Sequence, residues 1–162
     1  MKDKNLACEG ISHKGVKHMS VDVYLNFNGN CREAAEFYAE VFGTEKPQIM
    51  TFGEAPPNPD YPLPEEAKNL VMHTRLTIDG SNVMFSDVFP GMPFVAGNNI
   101  SLAIVNKDEE KIRSYFQKLK EDGTVNMDLQ ETFWSKCYGS LKDKFGIEWQ
   151  LSHDSEEPRK EQ

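Results

Sequence analysis

Apolar and polar residues alternate cleanly over residues 21–27. Val21, Val23, Leu25 and Phe27 share one side, and Asp22, Tyr24 and Asn26 share the other. That is the period of a half-buried strand. Asn28-Gly29-Asn30 follows with turn chemistry. Asn30, with Glu33 three residues on, predicts a capped helix over 31–42. Ala34, Phe37, Tyr38, Val41 and Phe42 make its apolar stripe, and Gly43 ends it. Residues 48–52 predict a short strand. Prolines at 56, 57, 59, 62 and 64 exclude regular helix or central strand from 53–69. A loop of this length is expected to act as a lid, as a binding loop or simply to be mobile. Residues 70–78 predict a strand with Met72, Thr74, Leu76 and Ile78 on one face and His73, Arg75 and Thr77 on the other. Asp79-Gly80 signals a hairpin turn into a partner strand over 82–88. There Val83 and Phe85 oppose Met84 and Ser86.

After a Gly/Pro-rich connector, 89–98, the pattern begins again. Ile100, Leu102 and Ile104 oppose Ser101, Ala103 and Val105 in a strand over 99–105. Asp108 caps a helix to about residue 121, striped by Ile112, Tyr115, Phe116 and Leu119 and stopped by Gly123. Residues 124–127 predict a short strand. Residues 130–138 are rich in aromatics and show no clear alternation. A polar turn at 142–144 precedes a last strand over 146–152, with Ile147, Trp149 and Leu151 against Glu148, Gln150 and Ser152. The two halves repeat with a period of roughly 75 residues, too long for a solenoid. The expected fold class is α+β: two βαβββ repeats, about 20–89 and 99–153, forming a curved, cup-shaped mixed sheet with the helices on its convex side. One domain is expected over 20–153, between a flexible extension at 1–19 and a charged tail at 154–162.

Composition narrows the partners. Of 162 residues, 18 are Lys or Arg and 26 are Asp or Glu, a net charge of -8. No basic stripe suits nucleic acid, and an anionic membrane surface is disfavoured. No apolar run approaches the roughly 20 residues of a membrane helix, and the first twenty residues lack a signal-peptide core. A cytoplasmic protein is expected. Cys8, Cys31 and Cys137 form no Cys-x-x-Cys, which excludes a disulfide scaffold or zinc knuckle. Cys31 at a helix start and Cys137 beside Lys136 stand where thiol pKa values can fall. Neither has a recognisable base, so both read as space-filling. His13 and His18 lie in the unpatterned leader, and His153 at the edge of the tail.

Several segments together carry a resemblance. They are Tyr24-Leu25-Asn26-Phe27-Asn28-Gly29-Asn30-Cys31 running into Phe37-Tyr38; Val71-Met72-His73; Met84-Phe85-Ser86-Asp87; and Phe133-Trp134, Tyr138-Gly139, Phe145-Gly146 and Trp149. In this order, over about 20–152, the chain resembles the vicinal oxygen chelate (glyoxalase/bleomycin-resistance/dioxygenase) superfamily, and within it the PhnB-like branch. Members of this branch sometimes carry a demethylubiquinone methyltransferase label. No Gly-x-Gly-x-x-Gly follows a strand in this chain to support it.

The resemblance implies a divalent metal in the cup, held by one His or Glu from each of four strands. Strand parity puts Tyr24, Ser86, Ser101 and Gln150 at those places, and these are poor ligands for zinc, iron or nickel. The expectation is therefore a small organic molecule in the cup, without the usual metal or another cofactor. Its expected contacts are Tyr24, Asn26, His73, Arg75, Ser86, Ser101, Phe133, Trp134 and Gln150. His73 is the candidate catalytic base or acid. If a metal does bind, His73, Asp87 and Glu148 are its candidate ligands. Two alternatives stand beside this: a metal-dependent lyase, isomerase or dioxygenase of the superfamily, and a homodimeric interaction module with no open site. A homodimer is expected from the resemblance and from the free edge each sheet would present.

Overall fold

A computed structural model describes residues 21–57, 59, 60 and 62–154. The extension expected at 1–19, all but the first residue of the tail expected at 154–162 and two positions of the proline-rich loop lie outside the described residues. The first repeat comprises β1 (Val23–Phe27), α1 (Cys31–Phe42), β2 (Met50–Thr51), β3 (Val71–Ile78) and β4 (Ser81–Asp87). The second comprises β5 (Ser101–Asn106), α2 (Glu109–Leu119), β6 (Thr124–Gln130), β7 (Tyr138–Lys142) and β8 (Glu148–His153). The strands form two four-stranded sheets, ordered β1-β4-β3-β2 and β5-β8-β7-β6. In each, the first strand runs parallel to the last (β1 with β4, β5 with β8), and the remaining pairs are antiparallel. This is the expected α+β pair of βαβββ repeats, and the sheets stay open as a cup.

Local chemistry explains most of the boundaries. Asp79 and Gly80 both take positive φ, 44° and 84°, as the tight hairpin between β3 and β4 requires. Gly43 ends α1 in the left-handed conformation. Asp108 caps α2 by accepting from the Lys111 amide at 3.1 Å.

Two expectations need correction. Asn30 makes no side-chain capping bond to α1. The Asp87 carboxylate, from the end of β4, accepts from the amides of Gly29 at 2.8 Å and Cys31 at 3.0 Å instead. Its other oxygen accepts from Val71 N at 2.9 Å, which pins the start of β3 to the same point. A charged acceptor satisfies orphan helix amides better than a neutral one. The second correction is β7, which falls between the expected aromatic stretch and turn. Of its two inward positions, Gly139 and Leu141, the first is where a Cβ would stand 2.8 Å from a ring carbon of Phe116. A glycine there lets the strand lie close under α2, and it removes one apolar beat from the alternation.

One core serves both repeats. Tyr38 of α1 is fully buried between Phe85 of the first sheet, at 5.8 Å, and Trp149 of the second, at 5.7 Å. Phe42 meets Tyr115 of α2 at 5.0 Å and Trp149 at 5.5 Å. In the turn between β7 and β8, the buried Asp143 accepts from Tyr38 Oη at 2.6 Å and Trp149 Nε1 at 2.8 Å. It also accepts from the amides of Phe145 and Ile147 at 2.9 and 3.0 Å. Four donors around one carboxylate leave it no unmet capacity.

Candidate functional site

Each sheet turns one face to the core, so alternate residues occupy the open face. On the first sheet, the ladder sets Tyr24 beside Met84 and Met84 beside Arg75, with Asn26 beside Ser86 in the next row. The Tyr24 hydroxyl lies 3.5 Å from His73 Nδ1, with the rings 6.1 Å apart. Ser86 Oγ donates to Asn26 Oδ1 at 3.4 Å, which leaves the Asn26 amide N–H groups free to donate elsewhere.

The second sheet carries its own polar row. Tyr138 Oη donates to Gln150 Oε1 at 3.0 Å, and Gln150 Nε2 donates to Ser101 Oγ at 2.6 Å. Trp134 meets the Tyr138 ring edge-on at 5.3 Å, and Phe133 meets Trp134 at 4.5 Å. Tyr138 was not among the residues expected at the site. Its signal lay in the parity of β7, which is hidden while β7 is not read as a strand.

Two hollows border these faces. The first, about 340 Å³, opens beside the outer edge of β1. Tyr24 and Asn26 meet Leu25, Val88, Phe94, Val95, Phe145 and Ile147 there, with Pro93, Ala96, Gly97 and Gly146 completing an uncharged lining. The second, about 1040 Å³, is a broad groove around the edge of β3, where β2 ends after two residues. His73 and Arg75 line it with Lys46, Glu54 and Met50. The expected contacts therefore divide. Tyr24 and Asn26 border the first hollow, His73 and Arg75 the second, while Ser101, Gln150, Phe133 and Trp134 belong to the second sheet.

The alternative metal set does not assemble. Asp87 is buried, and its oxygens are taken by three backbone amides. Glu148 lies on the other sheet, paired with Lys142 at 2.9 Å and accepting from Asn126 at 3.0 Å. Among the described residues, no three His, Cys, Asp or Glu side chains gather so as to hold a metal ion. The four positions at which the resemblance implies ligands do not fit a metal either, because Ser101 and Gln150 bond to each other and Ser86 to Asn26.

Two thiols lie among the described residues. Cys31 and Cys137 are fully buried. Burial pushes Cys31 up to about 12, and the Asp87 charge adds to the effect. Burial also raises Cys137, although Arg113 opposes it. Whatever the helix start contributes to Cys31, desolvation outweighs it.

Residues 19–152 match the family described as 3-demethylubiquinone-9 3-methyltransferase. Protein YjdN of Escherichia coli (strain K12) is 30% identical over 151 residues, spanning 86% of this chain and 99% of YjdN. Protein PA1353 from Pseudomonas aeruginosa superposes with a TM-score of 0.73 at 30% identity, over 85% of this chain and 98% of its own. A PhnB protein from Bacillus cereus gives a TM-score of 0.65 at 29% identity, over 84% of this chain and all (100%) of its own. The fold is shared with a glyoxalase/bleomycin resistance protein from Albidiferax ferrireducens T118, at a TM-score of 0.52 and 14% identity over 83% of this chain and 100% of that one. Matched along nearly all of its patterned length by one family, and sharing its fold with a glyoxalase/bleomycin resistance protein, the chain belongs to the family described as 3-demethylubiquinone-9 3-methyltransferase and is PhnB-like.

Proposed function

We propose that this protein binds a small uncharged organic molecule in the hollow beside β1, with Tyr24 and Asn26 as its polar contacts. The observation that carries this reading is the lining: apolar walls, two convergent polar side chains and no charge around about 340 Å³. Small-molecule sites have this make-up and this size. The Tyr24 hydroxyl donates or accepts, and the Asn26 amide offers donors, so a carbonyl, ether or hydroxyl group would be held there. The donor set at the four positions (Tyr24, Ser86, Ser101 and Gln150) supports binding without the metal that the resemblance implies. The family description names a methyl transfer. The present fold has neither a parallel α/β sheet nor the Gly-x-Gly-x-x-Gly turn that commonly seats a nucleotide-type donor, so binding is the better supported reading.

Thermal-shift screening against neutral organic compounds tests this. A compound that binds the folded state raises the melting temperature. Tyr24→Phe and Asn26→Ala should each shrink that rise. Elemental analysis of protein purified without chelator or nickel supplies the opposing outcome. Near one equivalent of a transition metal per chain would overturn the metal-free reading and support the enzyme alternative.

A homodimer in the cytoplasm is the accompanying proposal for its assembly. Residues 88–106 contain no charged side chain, in a chain that is 27% charged. Within them Met92, Phe94, Val95, Ile100 and Val105 are exposed. An uncharged strip lets two copies of net charge -8 approach each other, and a twofold axis would cover the strip on both at once. Val95→Glu and Ile100→Glu together should convert a dimer to a monomer in light scattering. A wild-type monomer at micromolar concentration would sink the proposal.

A further inference from the structure

In the second repeat the outermost strand covers its neighbour completely. β6 pairs with β7 from Thr124, opposite Lys142, to Gln130, opposite Tyr138. In the first repeat it does not. β2 meets only Val71 and His73 of the eight-residue β3. The chain before β2 carries Pro47, which has no N–H to give a neighbouring strand. Beyond His73, the outer edge of β3 therefore faces the broad groove and no strand.

The ladder fixes which backbone groups stand on that edge. Ile78 and Ser81 flank the two-residue turn Asp79-Gly80, so they exchange both of their bonds. Hydrogen-bonded pairs alternate from there, which turns Thr74, Leu76 and Ile78 to β4. His73, Arg75 and Thr77 are turned the other way. His73 meets Met50 there. Arg75 and Thr77 meet no strand, and both are exposed. Two N–H and two C=O groups in such a row accept an added strand. One extended residue fills roughly 160 Å³ of a sheet. The groove, at about 1040 Å³, has room for a short segment.

The side chains around the edge select the segment. Phe42 and Ile49 line the groove and pack with the buried Leu76 and Ile78 in the core cluster, so that side asks for apolar residues. Residues opposite Arg75 and Thr77 would share the open face with them. The charge there is unevenly satisfied. Glu54 accepts from the Thr51 amide at 2.7 Å and the Thr51 hydroxyl at 2.8 Å. Lys46 and Arg75 have no ion-pair partner among the described residues, and Glu45 is the one further charge lining the groove.

We infer that the outer edge of β3 takes an extended peptide segment of a partner protein as an added antiparallel strand, with apolar residues opposite Leu76 and Ile78 and a carboxylate opposite Arg75. The inference stands apart from the reading of the hollow beside β1, since the two share no residue.

The probe is the capped peptide acetyl-Ser-Val-Thr-Val-Glu-Ser-amide. Antiparallel to β3, its Val, Thr, Val and Glu fall opposite Ile78, Thr77, Leu76 and Arg75. It is titrated into nitrogen-15-labelled full-length protein. The amide signals of Arg75 and Thr77 should move and should exchange with deuterium more slowly. Methylating the peptide nitrogens of Thr and Glu, which face β3, should abolish binding. Methylating those of the two Val residues, which face away, should preserve it. Arg75→Glu should weaken the peptide ~5-fold, the effect of one cross-strand charge pair, and a peptide with Lys in place of Glu should recover the loss. The inference is overturned if the Arg75 and Thr77 amides do not respond up to the solubility limit, or if both methylated peptides bind alike. Protection of those two amides that rises with protein concentration, without peptide, would overturn it too, because a second copy of the chain would then hold the edge. Shifts confined to the amides of Tyr24 and Asn26 would overturn it while supporting the site beside β1, so the two proposals fail separately.

Discussion

The hydroxyl of Tyr38 and the carboxylate of Asp143 are separated by 105 residues along the chain and by 2.6 Å in space. Both side chains are buried, and the pair joins the helix of the first repeat to a turn of the second. Tyr38→Phe keeps the ring packing and removes one donor to a buried carboxylate. A loss of about 1–3 kcal/mol is expected, read as a lower urea midpoint with an unchanged slope. Asp143→Ala strands Trp149 Nε1 and two backbone amides besides Tyr38, so it should cost more than Tyr38→Phe. Equal effects would show that the carboxylate acts only through Tyr38.

The capping of α1 yields a contrast between two substitutions. Asn30 occupies the cap position without bonding from its side chain, while Asp87 accepts from three amides. Asn30→Ala should change stability by less than about 0.5 kcal/mol, whereas Asp87→Ala should lower it by about 2 kcal/mol or more. Denaturant unfolding of the two variants side by side checks this. A larger effect at Asn30 would reverse the assignment.

The buried thiols and Tyr38 predict alkaline lability. Burial raises Cys31 from 9.0 to about 12, and raises Cys137 and Tyr38 above their ordinary values. Each group then keeps its proton longer in the folded chain than in the unfolded one. Their contribution is whole below about pH 9 and is lost as pH climbs towards 12. Urea midpoints should therefore fall between pH 9 and 10.5 by more than between pH 7 and 9. In the same protein at neutral pH, a thiol reagent should find neither Cys31 nor Cys137 until urea is added.

Much of the fold was legible because it rests on local chemistry. The alternation of β1, the positive-φ pair Asp79-Gly80 and the stripes of both helices are properties of a few neighbouring residues. What escaped depends on distant ones. Asn30 has the right residue type for a cap, but a carboxylate 57 positions later is stronger and better placed. Gly139 looks like punctuation until Phe116 is seen to press against it. The site shows the same division. Parity alone put Tyr24, Asn26, Ser101 and Gln150 on open faces. That Tyr24 and Asn26 border one hollow while His73 borders another follows from where the 93–97 connector and the 145–147 turn come to rest. Asp87 and Glu148 are acidic residues at strand ends, and only the backbone amides and Lys142 around them reveal that both are engaged.

Tyr38 belongs to the first repeat by sequence and to both by packing. The connector that joins the repeats carries none of this load, for residues 91–100 are all exposed. Covalent continuity and cohesion are therefore carried by different parts of the molecule. A chain nicked in the connector should remain one particle, its halves clasped through Tyr38, Phe42, Trp149 and Asp143. Either half made alone would present an empty aromatic socket and seek its complement. The repeats can be given new termini more readily than they can be given separate lives.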